Sequence, residues 1–401
     1  MKIALVSAFM FGSSIGGVEN HIRFICKELI KNGHDVMLFK PIWNHEAKLD
    51  VHDYDGLPIQ YIECGRQLLG RLKSNSSSLS YVVGFARKID YLRVAALVAT
   101  PILEWQPDLV WQHDFSSSWL ATKKISKKIP VVLTNHTGEF LLLKRLPFFN
   151  ILSKILLKHY SYIIGPSKEL TPDFSSCQSV TIHNGVDLNW FTPLPQDEKE
   201  HQRERLFQHK SRGKFVVFCP RRWAPTKGVI FLALAAKEIV KKGQGDKFIF
   251  VFAGDGYDGY QGYAEEVGNL IKTSGIQFLR LGNLDVYKMR EWYQVADLVV
   301  IPSIMEAVSL AAIEAMACGT PVLSTAVGGM PELINDGVNG YLVVSKDSDA
   351  LASKILSISI DNNRNNISEN AVNLVNNSYS WTKIAHETEK ILSEVVAQRN
   401  K

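Results

Sequence analysis

The stretch EAVSLAAIEAMACGTPVLS spans residues 306–324 and follows the apolar run Leu298–Ile301. Ser309 is a favourable N-cap for a helix over Leu310–Ala317, and Gly319 is a favourable residue to end that helix. A second apolar run closes the stretch, so the order is strand, helix, strand. Because apolar strands that alternate with helices form parallel sheets covered on both faces, this stretch predicts an α/β fold.

The same alternation of strand and helix occurs twice along the chain. The first series begins at Lys2–Ser7, and a polar stretch at 196–212 precedes the second. We therefore predict two Rossmann-like α/β domains, over 1–192 and 193–379, with a last helix at about 380–401 that packs back on the first domain. Open α/β sheets bind ligands at the carboxyl ends of their strands, so we expect the two domains to face a central cleft.

The composition is that of a globular protein, with 46% hydrophobic and 21% charged residues among 401. No run of 18 apolar residues occurs, so a membrane span is not expected. The five cysteines are scattered and lack metal-ligand spacing, which favours reduced thiols in the cytoplasm. Residues 1–192 carry the whole net charge of +5, which favours an anionic partner for that half. No nucleic-acid-reading motif is present, so nucleic acid is not the expected partner.

Two loops have the residues that phosphate binding requires. Gly16 and Gly17 lie between the first strand and the first helix, where glycine lets a ligand approach the backbone. Arg222 and Lys227 follow the strand predicted at Phe215–Cys219, and two cations in one loop can hold the two phosphates of a diphosphate. The alternative for this second loop is a solvated basic turn.

Polar residues of other types also follow predicted strands. His113 and His136 each come at a strand end, where either a structural or a catalytic role is open. Glu306 also lies at a strand end, whereas Glu314 lies inside the helix that follows. Because a carboxylate accepts several hydroxyl hydrogen bonds, carboxylates beside phosphate-binding cations suit a nucleotide sugar.

In this order, the residues resemble the retaining glycosyltransferases of GT-B fold in glycosyltransferase family four, also described as glycosyl transferases group 1. The resemblance spans nearly the whole chain. Its most specific part is Glu306-x7-Glu314 with the segments 315–322 and 327–332 after it. The other matching segments are Gly16-Gly17, 134–137, 183–187, Arg222 to Gly228, 253–256 and 281–282.

The resemblance implies a role for each matching residue. Gly16 and Gly17 would approach the donor diphosphate, and Arg222 and Lys227 would neutralise it as it leaves. Glu306 would hold hydroxyls of the donor sugar, and His136 would lie beside that sugar. The remaining donor-binding candidates are the backbone at Val308, Ser309 and Leu310, Glu314 for the ribose, and Asn283 and Leu284 for the base. His113 is a candidate for acceptor binding.

The implied reaction is retaining transfer of a hexosyl unit from a nucleoside-diphosphate sugar to a saccharide or lipid-linked acceptor. A UDP-sugar is the favoured donor, GDP-mannose is the second candidate, and bacterial cell-surface polysaccharide or lipopolysaccharide synthesis is the expected setting. No cofactor and no metal are expected, because cations can stabilise the leaving group. Val308 and Ser309 stand where the family often has an aromatic residue or Leu followed by Gly or Pro, which leaves the donor sugar open.

Several alternatives remain at this point. A nucleotide-sugar epimerase or a phosphorylase would use the same fold, and an inactive relative would act as a binding protein in a carbohydrate pathway. A dinucleotide oxidoreductase would require GxGxxG after the first strand, and that spacing is absent.

One segment predicts where an anionic membrane would bind. Residues 141–158 carry four cations, no acid and many large apolar side chains. The two interpretations are a buried helix and a surface that rests on the inner face of the cytoplasmic membrane as a peripheral contact. Further cations that would add to this surface are Arg66, Arg71, Lys73, Arg87 and Lys88.

Overall fold

The fold is described from a computed structural model. It describes residues 1–7, 17–43, 56–66, 97–113, 119–136, 149–172, 177–256 and 260–399. The chain divides into two compact units, one formed by residues 1–184 with 381–401 and the other by residues 185–380. Each unit contains a parallel sheet with helices, so the predicted pair of Rossmann-like α/β domains is confirmed.

The first unit is built on a seven-stranded sheet in the order β3-β2-β1-β4-β5-β6-β7, and every pairing is parallel. Its central strands are nearly continuous apolar runs, because both faces of the sheet are buried there. The strands are β1 Lys2–Ser7, β2 Asp35–Ile42, β3 Ile59–Glu63, β4 Leu109–His113, β5 Val131–Thr134, β6 Tyr162–Gly165 and β7 Gln178–Thr181.

The helices of this unit include the last helix of the chain. It packs on the first one, where Phe24 stacks on Trp381 with ring centroids 5.2 Å apart. The helices are α1 Gly17–Lys31, the described part of α2 at 97–105, α3 Trp119–Ile125, α4 Phe149–Leu157 and, at the end of the chain, α13 Trp381–Arg399. A 3-10 turn covers Lys168–Leu170.

The second unit is built on a six-stranded parallel sheet in the order β10-β9-β8-β11-β12-β13. Successive residues of its central strand pack into different cores, with Phe218 on one face and Val217 on the other. Its strands are β8 Phe215–Pro220, β9 Phe248–Ala253, β10 Gln277–Gly282, β11 Leu298–Ile301, β12 Val322–Thr325 and β13 Tyr341–Val343.

Helices cover both faces of the second sheet. They are α5 Gln196–Phe207, α6 Val229–Lys241, α7 Gln261–Thr273, α8 Val286–Val295, α9 Leu310–Ala317, α10 Met330–Leu333, α11 Ser348–Ser359 and α12 Arg364–Ser378. Short 3-10 turns cover Pro225–Lys227 and Gly245–Lys247. The helix predicted from the opening stretch has the expected bounds, and Gly319 after it has a φ of 73°.

The polar stretch at 196–212 is a helix for most of its length, not an irregular break. Its sequence shows little apolar periodicity, which is why the sequence does not predict α5. Tertiary contacts stabilise it instead: Nη1 and Nη2 of Arg203 donate to the carboxylate of Asp297, at 3.1 and 2.9 Å. Phe207 at the end of the helix packs into the core.

The boundary between the units lies after Asn184, whereas the sequence places it after residue 192. The reason is that the chain enters the second unit as soon as it leaves β7. The backbone N–H of Val186 donates to the carbonyl of Tyr379 at 2.7 Å, and Phe191 packs into the core of the second unit.

Candidate active site

The candidate site of the second unit lies where the winding of its sheet reverses. β8 and β11 are neighbours in the sheet, but the strands that follow each of them in the chain lie on opposite sides. The loops after these two strands therefore meet at a topological switch point, the usual ligand position in open α/β sheets. The first loop carries Arg222 and Lys227, and the second carries Glu306.

The two loops are fixed to each other through their backbones. The carbonyl of Thr226 accepts hydrogen bonds from the N–H groups of Ile304 at 2.9 Å and Met305 at 3.2 Å. Gly228 has a φ of 63°, and a Cβ there would lie 1.9 Å from the carbonyl oxygen of Pro302. Only glycine permits this close approach, which brings Lys227 against the second loop.

Glu306 accepts three side-chain hydrogen bonds, all on Oε2. The donors are Lys227 Nζ at 3.0 Å, Ser303 Oγ at 3.1 Å and Arg221 Nη2 in a shorter contact. The described residues place no donor on Oε1. One oxygen of this carboxylate is thus held by the protein, and the other remains for a ligand.

These contacts keep Glu306 ionised. Its burial opposes ionisation, but the cations of Arg221 and Lys227 and the hydrogen bonds lower its pKa to about 2. Burial lowers the pKa of Lys227, with Arg221 and Arg222 adding to the shift and Glu306 opposing it. The three cations outnumber the one firmly ionised carboxylate, so a further anion beside Lys227 would be stabilised.

Arg221 is the residue that sequence analysis missed. The sequence singles out Arg222, whose side chain is exposed, whereas Arg221 is 8% exposed and pairs with Glu306. Its other donor, Nη1, reaches Ser309 Oγ at 3.0 Å. The backbone carbonyl of Arg221 is also close to Gly254, where a Cβ would lie 2.2 Å from it. Two adjacent arginines look alike in a sequence, and the burial of the loop distinguishes them.

Helix α9 begins beside this ion cluster. Ser309 occupies the N-cap position, but its hydroxyl accepts from Arg221 and makes no side-chain cap hydrogen bond to the helix. The described residues provide no acceptor for the backbone N–H groups of Leu310 and Ala311. Free N–H groups at a helix N-terminus are suited to an anion. The Val308 side chain is buried in the core, so only its backbone is available to a ligand.

Glu314 lies in the same helix and has a different partner. Its Oε2 accepts a hydrogen bond from the hydroxyl of Tyr293 at 2.9 Å. Burial raises the pKa of Glu314 to about 7, although the Tyr293 hydrogen bond and the Arg221 charge act against the shift. This carboxyl group therefore changes its charge near neutral pH, in contrast to Glu306.

The loop after β10 contains the two candidates for base contacts. Asn283 is exposed, and Leu284 packs partly against the core before α8 begins. The neighbouring loop after β9 contains Gly254, with a φ of 87°, and its N–H donates to the carbonyl of Gly282 at 2.6 Å. The β9 and β10 loops are thus joined next to the backbone of Arg221.

The first unit brings together His113 and His136 and adds His21 from α1. His113 Nδ1 and His136 Nε2 are 2.9 Å apart, and the two rings stack. His21 packs edge-on against His136, with centroids 4.6 Å apart. Burial lowers the pKa of all three, to about 4 for His21, so the imidazoles are neutral near pH 7. Gly17 is the first residue of α1, and Gly16 lies outside the described residues.

Comparisons with known proteins cover both units. Residues 15–190 match the family model Glycosyltransferase Family 4, and residues 201–374 match Glycosyl transferases group 1. A lipopolysaccharide 1,2-N-acetylglucosaminetransferase of Salmonella typhimurium is 31% identical over 52% of this chain and 55% of its own length. The match thus spans about half of that relative. An uncharacterised glycosyltransferase of Methanocaldococcus jannaschii is 26% identical over 97% of both chains.

Solved structures share the fold over the full length. Sucrose-phosphate synthase from Thermosynechococcus elongatus superposes with a TM-score of 0.77 at 20% identity and 99% coverage of both chains. Anabaena HepE in complex with UDP and glucose gives a TM-score of 0.71 at 21% identity, covering 98% of this chain and 100% of that one. Because the two family models together match residues 15–190 and 201–374, which is most of the chain, the chain belongs to the family 4 and group 1 glycosyltransferases of GT-B fold.

Proposed function

We propose that this glycosyltransferase moves a hexosyl unit from a nucleoside-diphosphate sugar to a saccharide or lipid-linked acceptor, with retention of anomeric configuration. The observation that carries the proposal is Glu306, which uses Oε2 to bind Arg221, Lys227 and Ser303, while no described residue donates to its Oε1. In this assignment Oε1 accepts hydroxyl hydrogen bonds from the donor sugar. The cations next to it bind the diphosphate.

The charge of the site supports this division between sugar and diphosphate. Arg222, Lys227 and the free N–H groups at the start of α9 would surround the diphosphate with positive charge. Negative charge builds on the departing phosphate in the transition state, so these groups stabilise that state more than the ground state. Because fixed cations fill the electrophilic role, the proposed transfer needs no metal and no cofactor.

The proposed reaction breaks the bond between C1 of the donor sugar and the phosphate oxygen. The acceptor oxygen forms the new bond to C1 on the same face, and the acceptor proton passes to the leaving phosphate. The transition state resembles an oxocarbenium ion. We assign no protein nucleophile, and we place His136 beside the reacting sugar.

The donor and pathway are also part of the proposal. The relative from Salmonella is named for transfer of N-acetylglucosamine in lipopolysaccharide, and the Anabaena structure holds UDP and glucose. These two relatives favour a UDP-sugar over GDP-mannose and favour cell-surface polysaccharide or lipopolysaccharide synthesis. Glu314 and the loop at Asn283 and Leu284 would then hold the ribose and the base.

A surface on the first unit supports a peripheral contact with an anionic membrane. Helices α3 and α4 adjoin each other, since Trp119 Nε1 donates to the carbonyl of Leu156 at 2.9 Å. Neither helix contains Asp or Glu. The exposed face carries the apolar residues Leu120, Ile151 and Ile155 and the cations Lys123, Lys124, Lys127, Lys154 and Lys158. We call these residues the basic face. No described helix is long and apolar enough to cross a bilayer.

Only part of the segment predicted from the sequence as a membrane contact is described. Of that segment, Ile151, Lys154, Ile155 and Lys158 belong to the basic face, whereas 141–148 lie outside the described residues, as do Arg71, Lys73, Arg87 and Lys88. Arg66 is described and exposed. The proposed location is the cytoplasm, with the basic face bound to the inner face of the cytoplasmic membrane.

The experiment that tests the function begins with a thermal-shift screen of nucleoside diphosphates and nucleotide sugars. A ligand that binds only the folded state raises the melting temperature by mass action. The nucleotide sugar that raises it most is then incubated with and without acceptor saccharides, and the products are analysed by NMR. An axial-to-axial or equatorial-to-equatorial outcome at C1 supports retention, whereas an inverted product contradicts it.

The same product analysis separates the alternatives. A changed sugar nucleotide without acceptor would indicate an epimerase on this fold. Ligand binding without turnover against a panel of acceptors, including lipid-linked ones, would favour an inactive binding protein. The ion cluster at Glu306 favours the transferase, because a scaffold has no need of two cations held on one buried carboxylate.

A further inference from the structure

A cluster of three histidines in the first unit has a geometry that the proposed transfer does not require. One ring nitrogen from each of His21, His113 and His136 lies within 4.8 Å of the other two. The residues come from α1, from the end of β4 and from the segment after β5, so the cluster forms only in the folded unit. We propose that these three histidines bind one divalent transition-metal ion of the class of Zn²⁺ or Co²⁺.

The unpartnered nitrogens of the cluster carry the proposal. His21 Nε2 and His113 Nε2 are buried and have no hydrogen-bond partner among the described residues, and the two histidines are 1% and 0% exposed. Buried polar atoms are nearly always hydrogen-bonded, so two such atoms in one cluster indicate an absent ligand. Both residues stay within the core of the unit, next to Trp111.

Asn184 prepares His21 for coordination. His21 Nδ1 is 3.0 Å from Asn184 Oδ1. An amide oxygen only accepts, so Nδ1 carries the hydrogen and Nε2 keeps its lone pair. Histidines that bind metals commonly donate their other N–H to an oxygen in this way, which fixes the tautomer and the ring orientation.

The chemistry of the three ligands selects the class of ion. Neutral imidazoles suit Zn²⁺, Co²⁺, Ni²⁺ and Cu²⁺, whereas Mg²⁺ and Ca²⁺ prefer oxygen ligands, which this cluster does not supply. Metal–nitrogen bonds of about 2.0–2.1 Å place tetrahedral ligand atoms about 3.4 Å apart. The widest pair in the cluster must therefore close by at most about 1.4 Å, a distance within reach of side-chain rotation.

Metal binding would alter the contact between His113 and His136. His113 Nδ1 and His136 Nε2 are 2.9 Å apart as a hydrogen-bonded pair, and this contact would loosen as both rings turn toward the ion. His136 is only partly buried, so the fourth coordination position can face solvent or a ligand. If His136 lies beside the reacting sugar, as the proposed function states, a bound ion would inhibit transfer.

The test uses the full-length protein without a histidine tag, first treated with a chelator and then titrated with Co²⁺. We expect one equivalent to bind, with the visible absorption of a nitrogen-ligated Co²⁺ ion, and Zn²⁺ to displace it. His21→Asn, His113→Gln and His136→Asn should each weaken binding at least ~10-fold, and Asn184→Ala about 10–100-fold. His386→Gln is the matched control, since His386 is an exposed histidine of the same unit.

Two further measurements make the result decisive. Zn²⁺ should raise the melting temperature of the wild-type protein, and a chelator should reverse the shift, which requires no variant to fold. The absence of both Co²⁺ absorption and a Zn²⁺ shift would overturn the site, as would equal binding by the His136→Asn and His386→Gln variants. Binding without inhibition of transfer would leave the metal site intact and contradict the role of His136 in the proposed function.

Discussion

The two units have the same winding but different chemistry at the same place in their sheets. In each, the first strand of the unit lies between its second strand and its fourth, so β1 pairs with β4 and β8 pairs with β11. At the carboxyl ends of the first pair lie neutral imidazoles, with His113 at the end of β4. At the second pair lie the fixed charges of Arg221, Lys227 and Glu306.

Under the proposed function, this difference assigns the diphosphate of the donor to the second unit. A diphosphate requires cations that stay charged, and the second unit supplies more of them than its firmly ionised carboxylate neutralises. A buried cluster of neutral imidazoles supplies no such charge. Parallel α/β topology provides the position of a ligand, and the loop residues decide its chemistry.

Among the substitutions that test this comparison, we expect the largest effect on the free energy of unfolding. Glu306→Gln should lower the free energy of unfolding by about 3–5 kcal/mol, because it leaves the partly buried cations of Arg221 and Lys227 without their carboxylate. Urea unfolding of the variant measures the loss. The control is Glu265→Gln, an exposed glutamate of the same unit, which should change stability by no more than about 0.5 kcal/mol.

The pH dependence of the free energy of unfolding checks whether charge pairing causes the loss expected for Glu306→Gln. The pKa of Glu306 is about 2 in the folded protein, below its ordinary value of 4.5. Its contribution is therefore fully present above pH 4.5 and is lost as the pH falls toward 2. The stability gap between the wild type and Glu306→Gln should narrow between pH 5 and pH 3. A gap that stays constant over this interval would mean that charge pairing is not its source.

The next effect is on the rate of sugar transfer. Lys227→Ala should reduce turnover by about 10²–10³, the usual loss when one electrostatic contact to developing charge is removed. Lys272→Ala replaces an exposed lysine of the same unit and should leave turnover unchanged. Steady-state kinetics with the identified donor measures both. Wild-type turnover by a folded Lys227→Ala enzyme would end the assignment of the charged loop to the leaving group.

Arg221 and Arg222 are adjacent in the sequence, but we expect the two side chains to have different roles. Arg222→Ala should lower turnover with little change in unfolding, since its side chain is exposed. Arg221→Ala should lower stability as well, because it removes the partner of Glu306 and of Ser309. Should both variants lose stability equally, the structural distinction between them would be wrong.

The sequence predicts the fold of both units and part of the site. Apolar runs and helix caps predict Leu298–Ile301 and Leu310–Ala317 with their observed bounds, because those signals are local. Short or half-exposed strands such as Ile59–Glu63 and Tyr341–Val343 are missed, since their pattern is weak. The helix at Gln196–Phe207 is missed because distant residues stabilise it.

The sequence alone does not show which residues of the site contact each other when they are far apart in the chain. Glu314 accepts a hydrogen bond from Tyr293 in the preceding helix, and His21 is hydrogen-bonded to Asn184, which lies 163 positions away in the sequence. His21 looks like one more residue on the buried face of α1. Only the three-dimensional arrangement places it beside His113 and His136.

A smaller effect concerns the one carboxyl group of the charged site that titrates near neutrality. The pKa of Glu314 is raised to about 7, so its ionised form becomes dominant as the pH rises above 7. An ionised carboxylate accepts ribose hydroxyl hydrogen bonds better, so affinity for the nucleoside diphosphate should rise roughly tenfold from pH 6 to pH 8. Glu314→Gln should remove the part of this rise that comes from Glu314.

The comparison with Glu314→Gln also removes the contribution of the ligand, whose phosphate titrates near pH 6. Calorimetric titrations at the two pH values give the difference between the proteins. An equal rise in the wild type and the variant would show that the phosphate, and not Glu314, is responsible.

The smallest expected effect of a single substitution is on membrane binding by the basic face, where the first unit also differs from the second in charge. Residues 1–192 carry the whole net charge of +5, and the basic face concentrates cations beside exposed Ile151 and Ile155. A cation near an anionic bilayer contributes roughly 1 kcal/mol, so Lys154→Ala should weaken vesicle binding about fivefold. Co-sedimentation with vesicles of phosphatidylglycerol and phosphatidylcholine measures this loss, and Lys272→Ala on the second unit should bind as the wild type does.

Raising the salt concentration should release the protein from the vesicles, because screening shortens the reach of surface charge. Ile151→Ser should weaken binding at every salt concentration, since it removes apolar contact and no charge. Equal binding to vesicles of phosphatidylcholine alone, or no binding to either kind of vesicle, would contradict a membrane contact at the basic face. Either outcome would favour a soluble acceptor.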